Sequence, residues 1–399
     1  MKKSITITCL LLFVIIWSSC KKNDWHHDPG SGSNYFVSAT PLGTFSKSDL
    51  QGLAVKAGFA VFAPLAHYDV DFFKLIYKTS FKGNMIQVSG LLAIPKNVLS
   101  IPSLVSAQHG TIFRFSDAPS NFPNSFSGFE LFASAGYVTV IPDYIGYGVS
   151  QNIPHPYYDK QYSALSVVNM IEAAKYYLQK QKAAITNRLF LVGYSEGGYT
   201  TMAAQKEIET NPSHLLTVTG AAEGAGGYDL TTFLSAIADT ATYSAPSFLA
   251  LIIKSYNNTY NWNRPFSDFF QQPYASQIPD LLDGSKTRSD IDAALPNSTA
   301  ALFNPIFYAS LKNPTKETAL KTKVGENSFL TWVPKSPTRL YHGTADEAVP
   351  FKTSVVTYGR FIAAGATNVE FFPIPGGTHT TSVTPMMANA LPWLQSLDK

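Results

Sequence analysis

Short apolar runs and longer periodic segments alternate along most of this chain. Residues 68–78 and 84–94 carry alternating or β-branched apolar positions on either side of Phe81-Lys82-Gly83, a pattern that predicts an antiparallel hairpin. Further short apolar runs at 104–107, 137–141, 188–192, 215–221, 338–341 and 369–372 read as strands. Segments 129–135, 164–181, 351–363 and 383–397 read as helices, the first closed by Gly136. Strands alternating with helices imply a mostly parallel sheet covered on both faces.

That rhythm breaks between residues 228 and 334. No clean strand is visible there, only helical and loop-like stretches dense in Phe, Tyr, Trp, Asn and Pro, such as Tyr256-Asn257-Asn258-Thr259-Tyr260-Asn261-Trp262. Residues 228–334 therefore read as a cap inserted into an α/β domain built from 41–227 and 335–399. No internal repeat is present.

The N-terminus reads as a targeting signal. Lys2-Lys3 precede an apolar run from Ile5 to Trp17, followed by Ser18-Ser19-Cys20. A basic start, a short apolar stretch and small residues before a cleavage point make an export signal, and the run is short for a membrane span. Ending on Cys20, the segment resembles a bacterial lipobox, although Trp17 stands where Leu is usual. Residues 1–19 are thus expected to be a lipoprotein-type signal peptide. Cys20 would be the lipidated anchor, and 20–40 a flexible tether rich in turn formers. His26-His27 beside Asp24 and Asp28 belong to that solvated linker rather than to a metal site. Cys9 lies in the signal, so the mature chain has no internal disulfide, and lipidation of Cys20 would leave no free thiol.

Candidate chemistry centres on Leu189-Phe190-Leu191-Val192-Gly193-Tyr194-Ser195-Glu196-Gly197-Gly198. An apolar strand runs into Gly-x-Ser-x-Gly and then into good helix formers. This arrangement lifts a serine hydroxyl above the sheet at a helix N-terminus. The pentad alone is a weak signal in a chain with 26 glycines; its flanks strengthen it. A serine hydroxyl needs an imidazole to take its proton, and the imidazole needs a carboxylate to fix its tautomer. In a parallel sheet such groups collect just beyond the C-terminal ends of strands. Two late loops fit: His342-Gly343-Thr344-Ala345-Asp346-Glu347-Ala348-Val349-Pro350, and Pro373-Ile374-Pro375-Gly376-Gly377-Thr378-His379. Asp346 is the candidate acid, with Glu347 a competitor, and His379 is the candidate base. His342, at a strand end, is expected in a supporting role.

A developing oxyanion has to meet donors already in place. One should be the amide of Glu196; the other should come from Gln108-His109-Gly110-Thr111, with the Thr111 N–H favoured and Gly110 second. His109 is expected to orient that loop.

Gly193-Tyr194-Ser195-Glu196-Gly197-Gly198, Pro142-Asp143-Tyr144-x-Gly146-x-Gly148, the His342–Pro350 stretch and Gly377-Thr378-His379 together resemble the α/β-hydrolase superfamily. More closely they are similar to the secretory lipases and serine carboxylesterases of microbes, which carry a large helical cap before the acid loop. The likeness spans residues 68–397. It implies a triad of Ser195, Asp346 and His379, a structural role for the Asp143-Tyr144 loop, and ester hydrolysis with no metal or organic cofactor. Glu196 departs from the Gly or Gln common at its position. Its carboxylate would disfavour acidic substrates or simply face solvent.

Composition narrows the function classes. With 45% hydrophobic and 14% charged residues the chain can bury a large core. The formal charge of +3 falls to +1 once Lys2 and Lys3 are removed, so nucleic-acid binding has no electrostatic footprint. With 27 Phe and 21 Tyr, the chain suits apolar or aromatic ligands. The leading reading is an exported, membrane-anchored serine hydrolase, in the periplasm or at the cell surface. It would act on small-molecule, lipid or polysaccharide esters. Two alternatives stand beside it. One is a serine peptidase of the prolyl oligopeptidase type, for which the chain before Tyr68 is too short to hold the usual propeller. The other is a lipoprotein that binds lipid or glycan without catalysis.

Overall fold

The computed structural model describes residues 30–399. The expected signal peptide, Cys20 and the first part of the expected tether lie outside them. The described residues begin with a short helix (Gly30–Tyr35) followed by a strand, β1 (Phe36–Phe45). The folded body therefore starts before residue 41. Pro41 and Gly43 interrupt any alternation in β1, and its pairing slips at both Phe36/Ser38 and Pro41/Gly43. An edge strand tolerates this because only one of its sides must hydrogen-bond.

Among the described residues, nine strands, numbered in chain order, form one sheet in the order β1-β2-β3-β5-β4-β6-β7-β8-β9. β2 (Val70–Phe81) and β3 (Asn84–Pro95) make the expected hairpin, turning through Lys82-Gly83. β4 (Leu104–Gln108), β5 (Val138–Pro142) and β6 (Leu189–Tyr194) are buried at every position. They are parallel to β7 (Val218–Gly224), β8 (Thr338–Gly343) and β9 (Val369–Ile374). β5 lies on one side of β4 and β6 on the other, so the direction of winding reverses between β4 and β6. Such a switch point opens a crevice at the C-terminal ends of the strands.

Helices cover both faces. Lys160–Lys180 and Glu196–Thr210 press Val167, Val168, Ile171 and Ala204 onto Leu104, Val140 and Leu191. Val383–Leu397 presses Met386, Met387, Leu391 and Leu394 onto Val105, Phe190 and Val192 from the other side. Residues 129–135 form a shorter helix than their apolar content predicts, only Leu131–Ser134. Between β7 and β8 lie seven helices, from Leu230–Asp239 to Thr318–Glu326, and two isolated bridges. Their interior is aromatic, with Tyr256, Phe269, Phe270, Phe303 and Phe307 all buried.

Candidate active site

Ser195 follows β6 directly and has φ 62° and ψ −124°, a left-handed conformation unusual for a residue with a Cβ. The Ser195 N–H donates to Gly224 O at 2.8 Å, which holds the turn against β7. The turn closes only because its flanking residues lack side chains. A Cβ on Gly193 would lie 2.3 Å from Gly197 O, and one on Gly197 1.9 Å from Gln108 O. Glu196 then opens the helix, and first-turn N–H groups of a helix have no intrahelical acceptor.

The loops after β8 and β9 bring their side chains to this turn. His379 Nε2 is 2.8 Å from Ser195 Oγ, and His379 Nδ1 is 2.7 Å from Asp346 Oδ2. The other oxygen of Asp346 accepts the N–H groups of Ala348 at 2.9 Å and Val349 at 2.8 Å. Burial alone would raise the Asp346 pKa, but hydrogen bonds from His342 and His379 outweigh it and hold the carboxyl well below the usual carboxylate range. Glu347 contacts the same histidine differently, accepting its backbone N–H at 3.1 Å. Ser195 and His379 are each only 6% exposed. The tautomers follow from the partners. The Asp346 carboxylate can only accept, so His379 carries its proton on Nδ1, leaving Nε2 free to accept from Ser195.

His342 sits beneath Asp346. Its Nε2 is 3.2 Å from Asp346 Oδ2 and 2.9 Å from Val349 O, while Ser354 Oγ lies 2.6 Å from Nδ1. With two acceptors facing Nε2, the proton belongs there, and Ser354 donates to Nδ1.

The loop after β4 runs beside the serine. A Cβ on Gly110 would stand 3.5 Å from Ser195 Cβ, so the chain at Gly110 passes beside the serine. His109 donates from Nδ1 to Gly110 O at 2.7 Å and stacks on Tyr144 at 4.2 Å between ring centres. Burial lowers the His109 pKa, which favours the neutral ring. Asp143 accepts from Ser89 Oγ and from Ser120 N–H, tying β3 and residues 119–121 together.

The Glu196 side chain does not face solvent. It is 2% exposed, and its Oε1 lies 2.7 Å from His155 Nε2. His155 carries no motif signal in the sequence; a histidine between two prolines is unremarkable until the fold places it here.

Ser195 opens into an apolar cavity enclosing about 710 Å³ of empty space, open mouth included. Apart from Tyr157 and Tyr158, its walls are aliphatic and aromatic residues of the helices between β7 and β8, including Leu234, Leu249, Ile253 and Phe307, together with Ala348 and Val349. Among the described residues, no group of three or more His, Cys, Asp or Glu is placed to hold a metal ion, and no helix is long and apolar enough to cross a membrane.

A parallel sheet with its switch-point crevice, a left-handed serine turn and a Ser–His–Asp chain at three strand ends define an α/β-hydrolase fold. The secretory lipase family matches residues 130–397, and this chain belongs to it. It is 25% identical over 267 residues to Lipase 4 of Candida albicans, covering 65% of this chain and 55% of that one. Lipase 6 of the same yeast is similar to the same degree. The chain spans about half the length of these curated relatives. A candidate hydrolase of Legionella pneumophila superposes with a TM-score of 0.84 at 26% identity, covering 92% of this chain and 98% of that one. The rice cell wall degrading esterase LipA of Xanthomonas oryzae shares the fold, with a TM-score of 0.77 at 24% identity and coverage of 92% and 97%. None of these relatives supports the peptidase or the binding-protein alternative.

Proposed function

We propose that this protein hydrolyses carboxylic esters through an acyl-enzyme on Ser195. The observation that carries the reading is the hydrogen-bond chain from Ser195 Oγ through His379 to Asp346, at 2.8 and 2.7 Å, opening onto an apolar cavity. Ser195 Oγ attacks the ester carbonyl while His379 Nε2 takes its proton, and Asp346 steadies the imidazolium so formed. The carbonyl oxygen becomes an oxyanion, met by the N–H of Glu196 and by that of Thr111, with Gly110 the alternative on the same loop. Collapse of the adduct breaks the ester C–O bond, and His379 returns its proton to the departing alcohol. Water then repeats the sequence on the acyl-enzyme, again activated by His379.

The cavity walls suit an acyl chain or an aromatic acid, which bury apolar surface there without leaving a polar group unpaired. The helical segment 228–334 acts as the cap, supplying most of that wall. A family of secretory lipases supports an exported enzyme. The lipid anchor at Cys20 rests on the sequence of the first twenty residues.

Hydrolysis of p-nitrophenyl esters from acetate to palmitate tests the reading, with a feruloyl ester and a prolyl anilide alongside and Ser195→Ala as control. Ester turnover that disappears in Ser195→Ala, by several orders of magnitude, is expected. Turnover that survives in that variant refutes the nucleophile. Turnover of the anilide alone would point to a peptidase.

A further inference from the structure

We propose that His155 and Tyr157 are positioning residues for the oxyanion hole, each holding one of its two arms. This rests on the reading of Ser195 as nucleophile given above.

The two expected donors come from separate parts of the chain. The Glu196 N–H begins the helix after β6, and the Thr111 N–H belongs to the loop after β4. Pairing of β4 with β6 ends at Gln108 and Gly193, short of both donors. Beyond that point the two arms pack closely where Gly197 meets Gln108 and Gly110 meets Ser195, and one short segment adds a side-chain contact to each arm. His155 Nε2 is 2.7 Å from Glu196 Oε1, and Tyr157 OH is 2.9 Å from Thr111 Oγ1.

The chemistry at His155 makes its contact firm. Its Nδ1 lies 2.7 Å from Ile145 O. A carbonyl can only accept, so Nδ1 carries a hydrogen. Nε2 then meets the Glu196 carboxyl at 2.7 Å, within hydrogen-bond distance. The Glu196 side chain is 2% exposed and that of His155 10%, so water competes little for either. The backbone of His155 is wedged against Gly146, where a Cβ would stand 2.7 Å from His155 Cα.

Two further tyrosines of the same region hold the Thr111 loop: Tyr144 OH donates to His109 O at 2.9 Å and Tyr147 OH to Ile112 O at 2.5 Å. The segment is itself pinned from above. Ser255 Oγ donates to His155 O at 2.9 Å and Tyr256 OH to Tyr158 O at 3.1 Å, both from the helix Pro246–Thr259. His155 thus forms a histidine–carboxylate pair distinct from that of His379 and Asp346. It moves no proton of the reaction; it sets where an amide points.

The test compares Tyr157→Phe, Glu196→Ala and Glu196→Gln in the full-length protein, each first shown to melt cooperatively. Turnover of p-nitrophenyl butyrate is measured beside inhibition by an alkyl trifluoromethyl ketone, which adds to a serine and carries an oxyanion. Tyr157→Phe removes one oxygen and Glu196→Ala one carboxylate. Each is expected to lower kcat by about ten- to a hundredfold and weaken the ketone in proportion, with KM within about twofold, because the loss falls on the transition state alone. Glu196→Gln keeps a hydrogen-bonding partner for His155 and should restore kcat to within about fivefold of the parent. Unchanged kcat and ketone affinity in Tyr157→Phe and Glu196→Ala overturn the proposal, as does a rise in KM with kcat intact. A glutamine variant as poor as the alanine one also overturns it. Activity that survives Ser195→Ala would instead remove the nucleophile reading beneath it.

Discussion

Asp346 Oδ2 lies 3.2 Å from Nε2 of His342, a buried histidine that is not part of the proton path. The same oxygen lies 2.7 Å from His379 Nδ1. One carboxylate oxygen is thus held by two imidazoles, one that works in the reaction as proposed and one that steadies the acid.

Changing Asp346 to Asn should leave the fold intact and lower kcat by on the order of 10³–10⁴, because an amide no longer fixes the His379 tautomer. Glu347→Gln should cost far less, since that side chain touches only the His379 backbone N–H. Steady-state kinetics decide it; equal damage from both changes would mean that the acid is shared.

His342→Phe should move the acid-unfolding midpoint to higher pH. The Asp346 carboxyl is held below its usual range, so the stability it contributes is present above the unfolded pKa of about 3.9 and lost as pH falls through the folded value. Removing the His342 donor narrows that window. Fluorescence titration of both proteins under acid reads the shift.

A bulkier cavity wall should shorten the preferred acyl chain. Leu234 lines the apolar cavity, and Leu234→Trp fills part of it. The palmitate-to-butyrate ratio of kcat/KM should fall by about tenfold, the scale of one or two lost methylene contacts. A ratio that does not move would place the acyl chain elsewhere.

Stability should decline at alkaline pH through His214. This side chain bridges Glu172 at 2.8 Å and Glu207 at 3.0 Å, and those hydrogen bonds raise its pKa from 6.5 to about 9. A raised histidine contributes stability that is complete below the unfolded pKa and is lost as pH rises through the folded one, here from 6.5 to about 9. Urea melts on either side of that window should show the loss in the parent and a flatter profile in His214→Gln.

Cys20→Ala should release the protein from the membrane fraction, since a single residue would carry the anchor. Fractionation that does not change would reject the lipoprotein reading.

Much of this was legible in the chain. Runs such as Leu189 to Val192 are apolar at every position because a central parallel strand is buried on both faces. Gly193 and Gly197 mark a turn that no Cβ could enter. Asp346 and His379 follow late strands, and that position can be counted along a sequence. The edge strand Phe36–Phe45 escaped because Pro41 and Gly43 erase its alternation, and an edge needs little of it.

Local order, then, was determined by the sequence itself, since hydrophobic period and glycine placement act over a few residues. What only the tertiary structure decided are relations between side chains far apart in the chain. Glu196 turned inward to His155 rather than outward to solvent, His342 came under Asp346, and the segment 228–334 left an apolar cavity above Ser195. A side chain's burial and its partner depend on what the whole sheet and its helices bring near it, and no local pattern encodes that distance.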